Sequence, residues 1–218
     1  MSGTFVTFEG IEGSGKSTQA ARLAERLRRS GREVVLTREP GGTPLGRQLR
    51  ALLLRTGSPV LPEAELLLYA ADRAQHVGET IAPALARGAA VLCDRFLDAT
   101  LAYQGVARGL GTEAVLSLHR RPPLDLRPKR TVLLDLDPEA ALARARGRDA
   151  ARMDEPDEGR FEAEPLAFHR KVREGYLRLA GAEPERVRVV AAAGSESAVE
   201  AAVLQEVLDL FPDLRGSA

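Results

Sequence analysis

The residues whose types and spacing most clearly imply chemistry lie near the start of the chain. Gly10-Ile11-Glu12-Gly13-Ser14-Gly15-Lys16-Ser17 fits the phosphate-loop pattern G-x-x-x-x-G-K-[ST]. Glycines at 10, 13 and 15 let the backbone close around a phosphate so that successive N–H groups point inward, at the positive end of a helix. In such a loop Lys16 reaches the β- and γ-phosphates and the Ser17 hydroxyl ligates Mg²⁺. The ligand expected of these residues and the adjoining Thr18 is a nucleoside triphosphate with Mg²⁺.

A loop of this kind works only between a strand and a helix. Thr4-Phe5-Val6-Thr7-Phe8 alternates aromatic or β-branched residues as a strand does, and Ala20, Leu23, Ala24 and Leu27 recur at helical spacing. Further β-rich apolar runs occur at 33–37, 89–93, 131–135 and 187–190. Helical periodicity covers 16–30, 44–55, 62–87, 98–107, 112–120, 138–146, 161–181 and 195–210, with Gly31 closing the first helix. Five strands alternating with helices predict an α/β fold: a parallel sheet covered on both faces, with ligands at the carboxyl ends of the strands. At 218 residues the chain suits one domain, 1–218.

Residues 144–160 break this rhythm. Arg144, Arg146, Arg148, Arg152 and Arg160 surround the acidic run Asp154-Glu155-Pro156-Asp157-Glu158-Gly159. The segment reads as a lid, or as a solvated loop of balanced charge.

Composition narrows the partners. Thirty-one basic and 31 acidic residues cancel, so no global field attracts a nucleic-acid polymer or an anionic membrane. No apolar run approaches the roughly 18–20 residues of a membrane span, and the first residues lack the pattern of a secretory signal. A cytoplasmic location is expected. Cys93, the single cysteine, falls in a strand-like run and reads as a buried thiol. His76, His119 and His169 are scattered in the sequence and read as surface or packing residues.

The acceptor of the phosphate must be read elsewhere. Thr37-Arg38-Glu39-Pro40-Gly41-Gly42-Thr43 follows the second strand and Asp94-Arg95-Phe96 follows the third. These stretches, with Phe8-Glu9-Gly10, the run from Leu67 to His76, Ala102-Tyr103-Gln104-Gly105 and the run from Phe168 to Tyr176, occur in an order that resembles the thymidylate kinases. The resemblance covers nearly the whole chain. It implies a P-loop nucleoside monophosphate kinase-like fold with a lid at about 144–160, ATP and Mg²⁺ as donor and cofactor, dTMP as acceptor, and a homodimer.

Spacing agrees with the resemblance in places. Tyr69 and Arg73 stand i,i+4 on one predicted helix face, as a ring to stack on a pyrimidine and a guanidinium to donate to its carbonyl would. The family usually has phenylalanine at Tyr69. Thr100 and Gln104 repeat the spacing, and the resemblance implies that they touch the base. It also implies that Arg38 and Arg50 face the acceptor phosphate, that Glu12 approaches the deoxyribose 3′-hydroxyl, that Arg95 holds the monophosphate, and that Asp94 joins Ser17 at Mg²⁺.

The phosphate loop contains no arginine, which resembles the family members whose catalytic arginines lie in the lid. Arg144 and Arg148 share a helix face, so one of them, with Arg152 or Arg160, is expected over the γ-phosphate. Gly159 departs from the acidic or amide residue that the family often carries there. The catalytic candidates are therefore Lys16, Arg95, Arg148, Arg152 and Arg160. Two rivals stay open: a deoxynucleoside kinase using Glu39 as base on a sugar hydroxyl, and a non-catalytic ATP-binding switch.

Overall fold

The computed structural model of the chain describes residues 3–149 and 158–216. Strand β1 (Thr4–Glu9) is buried from Phe5 onward and lies at the centre of a five-stranded parallel sheet ordered β2-β3-β1-β4-β5. Because successive side chains of a strand point to opposite faces, Phe5 and Val6 enter different apolar clusters. Phe5 joins Val91, Ile81 and Phe96, whereas Val6 and Phe8 join Leu23, Leu27, Leu92 and Val132. Both faces carry helices, as the alternation of elements predicts. The two edges, β2 (Val34–Arg38) and β5 (Val187–Ala191), are half-exposed along their length.

The crevice follows from the order of strands. Helix α1 (Lys16–Arg29) carries the chain to β2, which pairs with β3 (Ala90–Asp94), and β3 pairs with β1. The chain then crosses to β4 (Arg130–Asp135) on the opposite edge of β1. That reversal opens a crevice at the carboxyl ends of β1 and β3. The register aligns Asp94 with Phe8 on one side and with Arg38 on the other, so motifs far apart in sequence meet at one rim.

Local chemistry sets the elements around this rim. Gly13 has φ 79°, and a Cβ there would lie 2.0 Å from the Ala141 carbonyl oxygen, so only glycine fits. Thr43 caps α2 (Pro44–Leu54) by accepting the Gly46 N–H at 3.0 Å, with Pro44 in the first turn. A Cβ on Gly42 would lie 2.4 Å from His76 Nε2, so the loop after β2 is pressed flat against α3 (Pro62–His76).

Helix boundaries differ from the periodicity in several places. The predicted helix 62–87 is α3, a π-helical turn Val77–Ile81 and α4 (Ala82–Ala86). Pro83 lacks an N–H and its ring crowds the preceding turn, so the hydrogen-bond ladder widens there. The predicted helix 98–107 is α5 (Leu97–Thr100) running into a second π-helical turn, Leu101–Ala107. After α6 (Thr112–Leu118) and α7 (Pro138–Asp149), α8 spans Leu166–Ala182 instead of beginning at 161, because Pro165 disfavours a helical residue before it. Helix α9 (Glu196–Gln205) closes the layer over β5, with a short 3₁₀ turn at Pro212–Gly216. Among the described residues no helix is long and apolar enough to cross a membrane. Cys93 is buried as expected.

Candidate active site

A cavity of about 590 Å³ opens at the rim of β1 and β3. Lys16 and Ser17 from the start of α1, Arg38 from the end of β2, Arg50 from α2, Tyr69 and Arg73 from α3, Asp94 from the end of β3 and Arg95 just after it all line it. Glu12, Thr100 and Gln104 complete the wall. The structure therefore gathers into one pocket the residues expected to face the acceptor and Mg²⁺. Thr18 and the loop residues Gly10, Ile11 and Ser14 do not line it.

The phosphate loop behaves as a closed backbone cradle. Lys16 folds back over it and donates to the Ile11 carbonyl at 2.8 Å. Burial, with the charge of Arg95 beside it, pushes the Lys16 ammonium down to about 8 against the opposing pull of Asp94, Glu12 and Glu9. An arriving triphosphate favours the charged form. Nucleotide binding is therefore expected to take up a proton above pH 8, where the free lysine is largely neutral, and little below pH 7. Calorimetry at pH 8.5 in buffers of different ionisation enthalpy measures this. Absence of uptake would show that Lys16 is charged throughout.

Ser17 donates its hydroxyl to Asp94 Oδ2 at the cavity edge. Among the described residues no cluster of three or more His, Cys, Asp or Glu side chains forms a cation cage. A hydroxyl and one carboxylate beside a phosphate-binding loop fit Mg²⁺, which keeps several waters and is held mainly through substrate phosphates.

Arg95 is the centre of the constellation. It is the residue other than glycine with positive φ, 68°, among the described residues, a left-handed conformation that side chains adopt at a cost. Arg95 Nη2 donates to Glu12 Oε1 at 2.7 Å, Nη1 donates to the Tyr176 hydroxyl at 3.2 Å, and the guanidinium lies 4.9 Å from the Tyr103 ring centroid. Tyr103 donates to both Glu12 oxygens at 2.7 and 2.8 Å. Burial raises the Glu12 carboxyl, but the charges of Arg95 and Lys16 and the contacts with His169 and Tyr103 outweigh it and hold the group well below the usual range.

The base side is built around Arg73, which is 1% exposed. Its Nε donates to Glu39 Oε2 at 2.9 Å, Nη2 donates to the Thr100 hydroxyl at 3.1 Å, and the guanidinium lies 4.7 Å from the Phe96 ring centroid. His76 Nδ1 lies 2.9 Å from the other Glu39 oxygen. Glu39 is thus occupied on both oxygens. Gln104 donates to the buried Glu65 at 2.6 Å, and half-buried Tyr69 faces the cavity from the core side of α3.

Several expectations need correction or fall elsewhere. The three histidines, read as surface or packing residues, are all buried, His76 and His119 in the Glu39–Arg73 network and His169 with Nδ1 3.6 Å from Glu12. Arg160, expected as an alternative to Arg152 over the γ-phosphate, does not line the cavity. It forms an ion pair with buried Glu65 at 2.7 Å and donates to the Leu53 carbonyl at 3.0 Å, tying the end of the lid segment to α2 and α3. Arg144 donates to the Ala192 carbonyl at 3.0 Å, beyond β5. Arg148 belongs to α7, but its side chain, like all of Arg152, lies outside the described residues. Glu158 grips Arg50 through two bonds of 2.6 and 2.7 Å, standing where an acceptor phosphate is expected.

Sequence reasoning also missed supporting residues. Glu9 accepts from the Phe96 N–H at 2.8 Å and from the Tyr176 hydroxyl at 2.7 Å, and so anchors the turn that carries Arg95. Burial and the charge of Asp98 push its carboxyl up to about 8. The partner residue Tyr176 lies on α8, and no local pattern announces the contact.

Comparison with known proteins completes the site's context. Residues 8–203 match the family model described as thymidylate kinase. The thymidylate kinase of Syntrophotalea carbinolica is 56% identical over 192 residues, 88% of each chain. That of Geobacter sulfurreducens is 51% identical over 96% of this chain and 99% of the relative. The crystal structure of thymidylate kinase from Ehrlichia chaffeensis superposes with a TM-score of 0.74 at 32% identity, covering 94% of this chain and 98% of the other.

Proposed function

This chain belongs to the thymidylate kinase family, and from that premise we infer that its cavity passes the γ-phosphoryl group of ATP to the 5′-phosphate of dTMP, giving ADP and dTDP. The observation that carries the reading is the convergence of Arg38, Arg50, Arg73 and Arg95 with the phosphate loop on one cavity. So many cations suit an acceptor that already bears a phosphate.

The acceptor phosphate is an oxyanion near neutral pH, so attack needs no side chain to remove a proton. What it needs is alignment and neutralisation of charge spread over the transferring group. Lys16 sits on the donor side and Arg95 between donor and acceptor. Arg50 and Arg38 take the acceptor phosphate once Glu158 yields the Arg50 fork. Tyr69 stacks on the pyrimidine, Arg73 donates to it with Thr100 and Gln104 alongside, and Glu12 lies toward the sugar. Ser17 and Asp94 would hold Mg²⁺, which would neutralise charge on the donor phosphates. Arg148 and Arg152 are the lid cations of this reading, and Arg160 anchors the lid.

The occupied Glu39 supports this reading over a sugar-hydroxyl kinase, since a carboxylate paired with Arg73 and His76 is a poor base. We further infer one cytoplasmic domain that forms a homodimer. Leu45 and Leu52 on α2 and Leu67 on α3, 44%, 57% and 58% exposed, supply apolar surface for the second copy.

The deciding experiment is ADP release with ATP and Mg²⁺, comparing dTMP, dUMP, AMP, GMP and thymidine. Turnover with dTMP far above the rest is expected. Turnover with thymidine and not dTMP would overturn the reading in favour of a nucleoside kinase, and ATP binding without acceptor-dependent turnover would favour a switch.

A further inference from the structure

His119 stands outside the cavity, at the carboxyl end of α6, and is 1% exposed. Its Nδ1 lies 2.7 Å from the Val115 carbonyl oxygen, and its Nε2 lies 2.8 Å from Arg73 Nη1. A carbonyl has no proton to give, so Nδ1 carries the ring hydrogen and donates it. Nε2 is then a lone pair, and Arg73 donates to it. Both contacts are satisfied only by this tautomer.

The consequence appears in the donors of Arg73. A guanidinium carries five N–H groups. Nε–H goes to Glu39, the two on Nη2 face Glu39 at 2.8 Å and Thr100 at 3.1 Å, and one on Nη1 goes to His119. The second N–H on Nη1 has no partner among the described residues. It is the donor left for the cavity that Arg73 lines.

We propose that His119 is a positioning residue for base recognition: held as the Nδ1–H tautomer, it accepts one Nη1 hydrogen of Arg73 and so aims the other at a carbonyl oxygen of the pyrimidine. This rests on the reading of the cavity as the dTMP site. Its surroundings keep the ring neutral. Arg73 from α3 and Arg127 from the connection before β4 face it as cations, and Glu39 from the loop after β2 is the anion nearby. Burial and those two arginines push the ring down to about 4, against the Val115 carbonyl and Glu39. A protonated ring would set an N–H against the Arg73 N–H.

The test is steady-state kinetics of His119→Leu and His119→Gln beside the unaltered enzyme. Leucine removes the acceptor, while the glutamine carbonyl can reach the place of Nε2. His119→Leu is expected to raise the Michaelis constant for dTMP by roughly 10–100-fold, the scale of one hydrogen bond from a charged donor. Turnover number and the Michaelis constant for ATP should change little, and His119→Gln should recover most of the loss. A dTMP constant unchanged in folded His119→Leu, or dTMP and ATP constants rising together, would overturn the assignment.

A second measurement needs no variant. Imidazole ¹⁵N NMR of the unaltered protein should show Nε2 unprotonated at pH 7 and shifted by dTMP but not by ATP. A protonated Nε2, or no response to dTMP, would equally overturn it. If the unaltered protein does not phosphorylate dTMP, the proposed function fails instead, and that outcome is visible in the same assay.

Discussion

Arg95→Ala is expected to lower turnover by roughly 10²–10³-fold while ATP still binds, the scale of losing one preorganised group that stabilises developing charge. Arg95 is mostly buried, paired with Glu12 at 2.7 Å, and held in a left-handed conformation at the junction of the donor and acceptor sides. A strained, buried guanidinium aimed into a cavity persists only where the surrounding structure over-determines it. Here Glu12, Tyr103 and Tyr176 do so. Arg95→Lys keeps the charge but loses the fork and the stacking on Tyr103, so partial turnover should remain. Single-turnover kinetics with thermal unfolding as a fold control decide the matter. A folded Arg95→Ala protein turning over like the unaltered one would remove Arg95 from the transferring centre.

Arg73→Ala is expected to act on the acceptor. Its loss should raise the Michaelis constant for dTMP by roughly 100-fold, since a charged donor to the base disappears, and should leave that for ATP nearly unchanged. It should also cost stability, about 3–5 kcal/mol, because Glu39 would remain buried without its arginine. The two effects separate experimentally: acceptor kinetics report the first and denaturant unfolding the second. An unchanged dTMP constant in the folded variant would mean that Arg73 only braces Glu39 and His119.

Both predictions start from residues that stood out in the sequence, for different reasons. Lys16 and Ser17 belong to a pattern whose parts are neighbours, and Tyr69 with Arg73 to a helical spacing. The five strands were legible because alternation along β1 and continuous apolar runs in the buried strands follow from burial on two faces. The ends of helices were less so. Pro83 and Pro165 change the hydrogen-bond ladder in ways that apolar periodicity does not register. Arg160 was misplaced because a lid arginine and a structural arginine have the same sequence, and Glu65, which claims it, lies on α3.

What the sequence by itself determined about this protein is whatever depends on residues a few positions apart. That includes the phosphate loop between a strand and a helix, the turn at Gly31 and the paired side chains one helical turn apart. The order of motifs carried the family as well. Only the tertiary structure decided which charges meet: Glu9 with Tyr176, Arg95 with Glu12, Arg50 with Glu158, and Arg73 with Glu39 and His119. Those partners come together through strand register and helix packing, which sum weak interactions over the whole core. Whether a histidine is a surface residue or the acceptor behind a buried arginine is set by that sum.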